Sequence, residues 1–346
     1  MLVVKAVGAL FPVIPQEDPD MDKVHIGVDI AKDKFDVYGL GASGKKRRQF
    51  SNTKKGRAEF IRYAARFEQA HVVMEATGNY HLHLVSALEK AGLYYSVVNP
   101  LQIKRFAQMK LARIKTDASD CRLIAEYAAE QAPPAHQVEP VVQQQLKQIN
   151  TLIEKYIQIR TSLKNQWHAF SFLPHADAAC ARSIKQSIGQ LSRQIERLQA
   201  RQEELIDQSY QTVKELALSV NGIGPRTAIV LISLLGDLSR FNNAKAVAAF
   251  MGINPVPYQT GTIEKQAHIS KQGHAKLRTL FYLCALSAVK CNKECKRMYV
   301  RLLSRGKKKK VALIAVANKL IRQVFAVIKS GVPFDDSYVE KMYPST

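Results

Sequence analysis

Two aspartates three residues apart, in Lys115-Thr116-Asp117-Ala118-Ser119-Asp120, open a stretch that continues CRLIAEYAAE and reads as a helix. Residues at that spacing share one face and one turn, so both carboxylates project together. Like charges so close raise each other's pKa and stay ionised comfortably when a cation sits between them. Acids also favour the first turn of any helix through its macrodipole, so the pair alone is also the mark of an ordinary helix start. Two further acids bear on the choice. Asp29 ends the strand-like run VHIGVDI, and Glu75 ends VVMEA. An acid inside an otherwise apolar strand is expensive to bury unless it is paired or binds a metal.

The elements that must position these acids follow from the pattern of apolar residues. VHIGVDI, FDVYGL and RRQFSN, separated by AKDK and GASGKK, predict a three-strand meander with Asp29 near the centre of its first strand. KKGRAEFIRYAARF is an amphipathic helix, and HVVMEA is a buried strand. The helix HLHLVSALEKAG, the strand YYSVVNP and the helix LQIKRFAQMK complete a βββαβαβα order with a mixed sheet, an α/β domain over residues 21–140. Acids at the ends of its central strands and on the acidic helix would converge on one edge of that sheet. Residues 1–20 read as a poorly ordered extension. Their apolar run is short, broken by Pro12 and Pro15 and followed by acids, which is poor for a cleavable signal.

Beyond PPAHQVEP the text becomes helical and poor in glycine over residues 141–214. Ile184, Ile188, Leu191, Ile195 and Leu198 step by 4, 3, 4, 3, an a/d seam. With Leu146, Ile149, Ile153 and Tyr156 upstream, it suggests an antiparallel hairpin turning near Phe172-Leu173-Pro174, or a coiled coil between chains. A plain helical linker packed on its own chain remains open. Residues 215–346 form a third, mostly helical region. Its opening, Ser219-Val220-Asn221-Gly222-Ile223-Gly224-Pro225-Arg226, matches a helix-hairpin-helix turn whose N–H groups can hold a phosphate, and equally an ordinary tight turn. TAIVLISLLGDL is apolar nearly all round and belongs to the core. The loop QTGTIEKQAHISKQGHAKLR mixes hydroxyls with Lys265, Lys271, His274, Lys276 and Arg278, which can hold a nucleic-acid backbone and act on it. Lys307, Lys308, Lys309 and Lys310 make a cationic loop suited to phosphate contact, or a solvated charge run.

Composition supports a nucleic-acid partner. The 346-residue chain carries +22, and residues 240–346 alone hold 20 basic against 5 acidic side chains. No apolar run approaches membrane-spanning length on this reading. The five cysteines form no paired CxxC units, so they read as packing residues in a reducing compartment. The expectation is a soluble, cytoplasmic protein.

GVDIAKDKFDV, VVMEATGNY, NPLQIKRFAQ, KTDASDCRLIAE, NGIGPRTAIVLISLLGD, AAFMGINPVPYQTG, ISKQGHAKLRTL and KSGVPF, in that order, resemble the IS110-family transposases, bridge-RNA-guided DNA recombinases related to the Piv/MooV invertases. The resemblance runs from about Met21 to Pro333. It implies a RuvC-like RNase H fold whose DEDD acids map to Asp29, Glu75, Asp117 and Asp120, the four acids reached above. It further implies divalent metal at those acids, Mg²⁺ or Mn²⁺, since hard carboxylates suit hard cations. A coiled coil joining protomers into a dimer or tetramer, and a C-terminal transposase domain that shares in binding donor and target DNA and a structured guide RNA, complete the expectation. The family carries a serine nucleophile before a glycine in that domain. Here the matching position is Thr260, followed by Gly261. Threonine has the same hydroxyl chemistry, but its methyl crowds in-line attack and stiffens χ1, and Thr262 and Ser270 lie nearby as alternatives. Two other readings compete: a metal-dependent junction nuclease that hydrolyses DNA with water, and a nucleic-acid-binding relative that has lost turnover.

Overall fold

The computed structural model describes residues 24–41, 46–76, 78–111, 117–260, 263–270 and 272–337. The extension at residues 1–20 lies outside them. The chain divides into two compact units, one ending at Val138 and one starting at Glu139.

In the first unit, β1 (Val24–Ile30), β2 (Lys34–Leu40) and β3 (Lys46–Ser51) form the expected antiparallel meander. Asp29 is next to last in β1 rather than central. β4 (Ala70–Glu75) pairs parallel to β1, and β5 (Tyr95–Val98) parallel to β4, giving the order β3-β2-β1-β4-β5. Alternation along the strands divides the sheet into two faces. Ile26, Val28, Phe35, Val37, Val72 and Met74 join Phe60 and Tyr63 of α1 (Lys54–Ala64) and Leu84 and Leu88 of α2 (Leu82–Lys90) in one core. Each large side chain fully buried there contributes about 1.5–3 kcal/mol. On the other face, Val73 and Val98 pack on Ile103 and Phe106 of α3 (Pro100–Met109) and on Ile124, Tyr127 and Ala128 of α4 (Asp117–Gln131).

The second unit begins with a helical hairpin. α5 (Val141–Phe170) and α6 (Ala178–Ser209) pack along each other and turn through residues 171–177, where the sequence placed the turn. At its base, Leu146, Leu205 and Ile206 pack on Ile229 and Ile232 of α8 (Pro225–Leu235), while Gln202 donates a hydrogen bond to the buried Ser233 hydroxyl at 2.8 Å. The far part of the seam, Ile184, Ile188 and Leu191, is only half-buried. The largest core joins α7 (Gln211–Ser219), α8, α9 (Ala244–Met251), α10 (Ala275–Cys291), α11 (Lys293–Ser304) and α12 (Lys309–Ser330). By length and composition α12 could cross a membrane, which corrects the expectation that no run approaches that length. Eight of its residues are buried, among them Leu313, Val316, Leu320 and Val324 of that core. A second correction concerns the stretch from Gln259 read as a loop, together with the residues just before it. It forms a two-stranded antiparallel hairpin, β6 (Pro255–Thr260) and β7 (Ile263–Ile269).

Cys121, Cys284 and Cys295 are buried, while Cys180 and Cys291 are exposed, so packing explains three of the five. Burial pushes the Cys295 thiol up to about 12 and the Cys121 thiol up to about 11. Alkylation at pH 8, read by peptide mass spectrometry, will therefore label Cys180 and Cys291 and spare the other three until the chain is unfolded, because the thiolate is the reactive form.

One close approach sets the geometry of the first unit. A Cβ on Gly27 would lie 2.1 Å from the Cys121 carbonyl oxygen and 2.4 Å from the Ala125 nitrogen. Backbone thus lies on backbone where α4 crosses β1, and only glycine permits it. Gly27→Val will force α4 off the sheet and lower the melting temperature, with a loss on the order of 3 kcal/mol or more read from denaturant unfolding.

Candidate active site and nucleic-acid surface

The face of the sheet that Gly27 turns toward α4 also carries Asp29, two residues on in β1. Glu75 shares that face, because it stands two residues beyond Val73, which packs on α4. The parallel register pairs Val28 with Met74, so Asp29 and Glu75 are the next positions along adjacent strands. On its other side Asp29 pairs directly with Asp36 of β2, and Asp36 with Gln49 of β3. A single cross-strand row therefore reads Glu75, Asp29, Asp36, Gln49. Asp29 and Glu75 are recognisable from sequence as strand-end acids; Asp36, between Asp29 and Gln49 in this row, is not.

Asp36 is 3% exposed and fully engaged on its β3 side. Its Oδ1 accepts from Arg47 Nη2 at 2.8 Å, from Arg47 Nε at 3.2 Å and from Gln49 Nε2 at 3.3 Å; its Oδ2 accepts from Gln49 Nε2 at 3.2 Å. A buried carboxylate is tolerable with such partners and costly without them.

α4 packs across the strands that carry this row. Cys121, Ile124, Ala125 and Ala128 form the stripe of α4 that meets the sheet. Asp117 and Asp120 precede Cys121 and Ile124 by four residues each, so their positions continue the stripe toward the helix N-terminus. Besides its burial, the Cys121 thiol feels the charge of Asp36, opposed by Arg47, and that of Asp29, which ties this turn to the acid row. Asp120 is half-buried, and its Oδ1 accepts from the Ser119 hydroxyl at 3.3 Å. The donor chemistry of Asp29, Glu75 and Asp120 fits Mg²⁺ or Mn²⁺: hard oxygens, with no thiolate or imidazole required. Among the described residues no three His, Cys, Asp or Glu side chains are gathered into a ready-made metal site. Carboxylates of like charge hold one another apart unless a cation lies between them.

The other expected residues lie in the second unit. Thr260 is the last residue of β6, paired with Ile263 of β7 at the tip of the hairpin. Lys265 is in β7, and Lys271 lies outside the described residues. Gly222 has φ +105°, and a Cβ there would sit 2.6 Å from that of Ala288, so its first duty is close packing of the turn on α10. Gly224 caps α8 with open space around it. Arg226, two residues on, is half-buried; burial lowers its pKa and Glu154 partly restores it. His274 caps α10 through Nδ1, and burial lowers its pKa. Arg278 donates to the Met251 carbonyl at 3.0 Å, closing the end of α9. Lys276 is half-buried in α10. His274 and Arg278 thus join the start of α10 to the end of α9.

Lys307, Lys308, Lys309 and Lys310 are exposed, and they extend a basic face that the sequence reading left out. Lys293, Lys296, Arg297, Arg301 and Arg305, on and just after α11, are exposed as well. Residues 293–310 hold nine basic side chains against the single acid Glu294. Glu294 is paired with Arg297 and with Lys319. The four-residue steps of Lys293, Arg297 and Arg301 could have shown this face.

Two family models match the chain, "Transposase" over residues 26–171 and "Transposase IS116/IS110/IS902 family" over residues 214–300. The pilin gene-inverting protein of Moraxella bovis is 30% identical over 324 residues, covering 91% of this chain and 98% of that protein. The transposase for insertion sequence element IS1111A of Coxiella burnetii is 25% identical, covering 88% and 89%. Among solved structures, T. thermophilus RuvC in complex with Holliday junction substrate aligns with 34% of this chain and 99% of its own, at 13% identity and a TM-score of 0.27. The chain belongs to the IS110 family of transposases, enzymes that recombine DNA.

Proposed function

We propose that the protein cuts and rejoins DNA strands at the ends of an insertion sequence, using Asp29, Glu75, Asp117 and Asp120 as a metal-holding set in a RuvC-like domain and Thr260 as the nucleophile. The observation that carries this reading is the row of acids on the α4 face of the sheet, with the first turn of α4 continuing the same stripe. Mg²⁺ or Mn²⁺ bound there would orient a scissile phosphate and stabilise charge on the attacking and leaving oxygens. Thr260 gives up its hydroxyl proton to a base and forms a phosphate ester as a DNA oxygen leaves and takes a proton. A hydroxyl of the second strand then displaces Thr260. The number of phosphoester bonds is unchanged, so strand exchange needs no high-energy cofactor. Lysine and arginine near the reacting phosphate stabilise the pentavalent charge.

Affinity comes from the basic face of α11 and Lys307–Lys310, with Gly222, Gly224 and Arg226 and the side chains of Lys265, Lys271, His274, Lys276 and Arg278 contributing backbone contacts. A structured non-coding RNA supplies sequence choice by base pairing with donor and target DNA. A second copy of the chain packs along the half-buried seam of the α5–α6 hairpin as a coiled coil, giving a dimer or tetramer. The reaction takes place where the chromosome is, in the bacterial cytoplasm.

Incubating the protein with Mg²⁺, the non-coding RNA of its locus and donor and target DNA will give a covalent protein–DNA adduct on a denaturing gel. Thr260→Ala will abolish it and Thr260→Ser will keep it. Nicking without an adduct would make the enzyme a hydrolytic nuclease; an adduct in Thr260→Ser alone would make this chain an attenuated member of its family. Glu75→Gln or Asp117→Asn will cut strand cleavage by about a hundredfold or more while leaving RNA binding in place. Replacing Lys307–Lys310 with glutamine will lower the slope of log affinity against log salt by about 0.9 for each phosphate no longer neutralised, and an unchanged slope would make these four lysines at the start of α12 bystanders.

A further inference from the structure

Asp36 is an acid that the proposed metal set does not use, yet it stands beside Asp29. Directly paired residues of an antiparallel sheet have their Cβ atoms about 4.5–5.5 Å apart on the same face. By position alone, Asp36 could offer a further carboxylate to any cation held by Asp29. Its partners keep it from doing so. Arg47 and Gln49 both belong to β3, on the side of β2 away from Asp29, and all four of their hydrogen bonds to Asp36 pull from that side. The guanidinium is charged at every working pH, so it also neutralises the carboxylate it holds. To reach a cation at Asp29, Asp36 would have to break two bonds to Arg47 and leave a buried position.

We propose that the Asp36–Arg47–Gln49 clamp sets how many carboxylates a cation can draw from the acid row, and so favours Mg²⁺ over larger ions such as Ca²⁺. This inference rests on the reading of Asp29 and its partners as a metal-holding set. Mg²⁺ takes six oxygens in a strict octahedron and keeps several waters; Ca²⁺ takes six to eight and gains from each added carboxylate. Withholding Asp36 leaves the row suited to the smaller ion. Asp36 and Arg47 are then specificity-determining residues whose role lies in what they deny the site. The clamp also explains why β3 places Arg47 and Gln49, rather than apolar side chains, on the α4 face at the positions opposite Tyr38 and Asp36.

The test uses the full-length chain and needs no turnover. Bound Mn²⁺ is followed by electron paramagnetic resonance while Mg²⁺ or Ca²⁺ displaces it, in wild type, Arg47→Gln, Gln49→Leu and the double variant Asp36→Asn/Arg47→Gln. Thermal melting of each variant reports whether it is folded. Releasing Asp36 with Arg47→Gln will strengthen Ca²⁺ relative to Mg²⁺ on the order of tenfold, the scale on which partners of metal ligands act. Gln49→Leu, which leaves the Arg47 charge in place, will shift the ratio the same way by less, and decides the matter should Arg47→Gln fail to fold. The double variant will return to the wild-type ratio, because the freed carboxylate is gone. An unchanged ratio in the folded single variants, or a shift that survives in the double variant, would overturn the inference. A wild-type Mn²⁺ signal indifferent to Asp29→Asn would remove the metal reading and this inference with it, whereas a signal that needs Asp29 but shows no ratio change removes the inference alone.

Discussion

The approach of α4 to β1 at Gly27 is the constraint on which the site depends. Side chains normally hold a helix off the sheet it covers, so the missing Cβ at Gly27 brings the Cys121 carbonyl and the Ala125 amide down to the strand itself. That closeness puts the first turn of α4 beside the last residues of β1, where Asp29 lies. The stripe of small side chains at Cys121, Ala125 and Ala128 is what lets the helix lie so low. Packing and chemistry are thus set by the same few positions.

A row of acids at such a place is destabilising unless each charge is answered. Glu75 and Asp29 are half-buried near the ends of their strands; Asp36 sits deeper, held by Arg47 and Gln49. Arg47 reaches Asp36 from a half-exposed position, and losing it would leave the buried carboxylate without its charged partner. The second unit works differently. Its charge lies on exposed helix and loop residues, where lysine and arginine are solvated in the free chain and give affinity by displacing counterions from a nucleic-acid backbone. The first unit supplies a fixed arrangement of oxygens, the second a long cationic surface and a threonine at the tip of a hairpin.

Much of this was legible in the sequence because local periodicity carries it. Strand alternation and helix spacing place every element of the first unit, and VVMEA announces Glu75 as an acid at the end of an apolar strand. The 4-3-4-3 seam of α6 fits a hairpin, a coiled coil between chains or a linker packed on its own chain, and the packing of α5 on α6 shows the hairpin. Asp36 was not legible, since FDVYGL reads as an ordinary strand and nothing local says that its acid faces Asp29 and is held by Arg47. Cross-strand partnership is non-local information. The β6–β7 hairpin was missed for a related reason: Pro255 and Pro257 and the polar residues that follow mask the alternation. α12 shows the reverse failure. Lys319 and Arg322 break its apolar run, so no unbroken membrane-length stretch stands in the sequence, and neither is among its buried residues.

The claim at the centre of this account is that one cation site lies where β1, β4 and the start of α4 meet. Replacing Mg²⁺ with Fe²⁺ and adding ascorbate and peroxide generates hydroxyl radicals at the bound ion, which cut the nearest backbone. Cuts are predicted at the end of β1 near Asp29 with the facing part of β2 near Asp36, at the end of β4 near Glu75 and in the first turn of α4 at 117–120, all suppressed by excess Mg²⁺. Cuts elsewhere in the chain that Mg²⁺ suppresses, or none at these places, would contradict it.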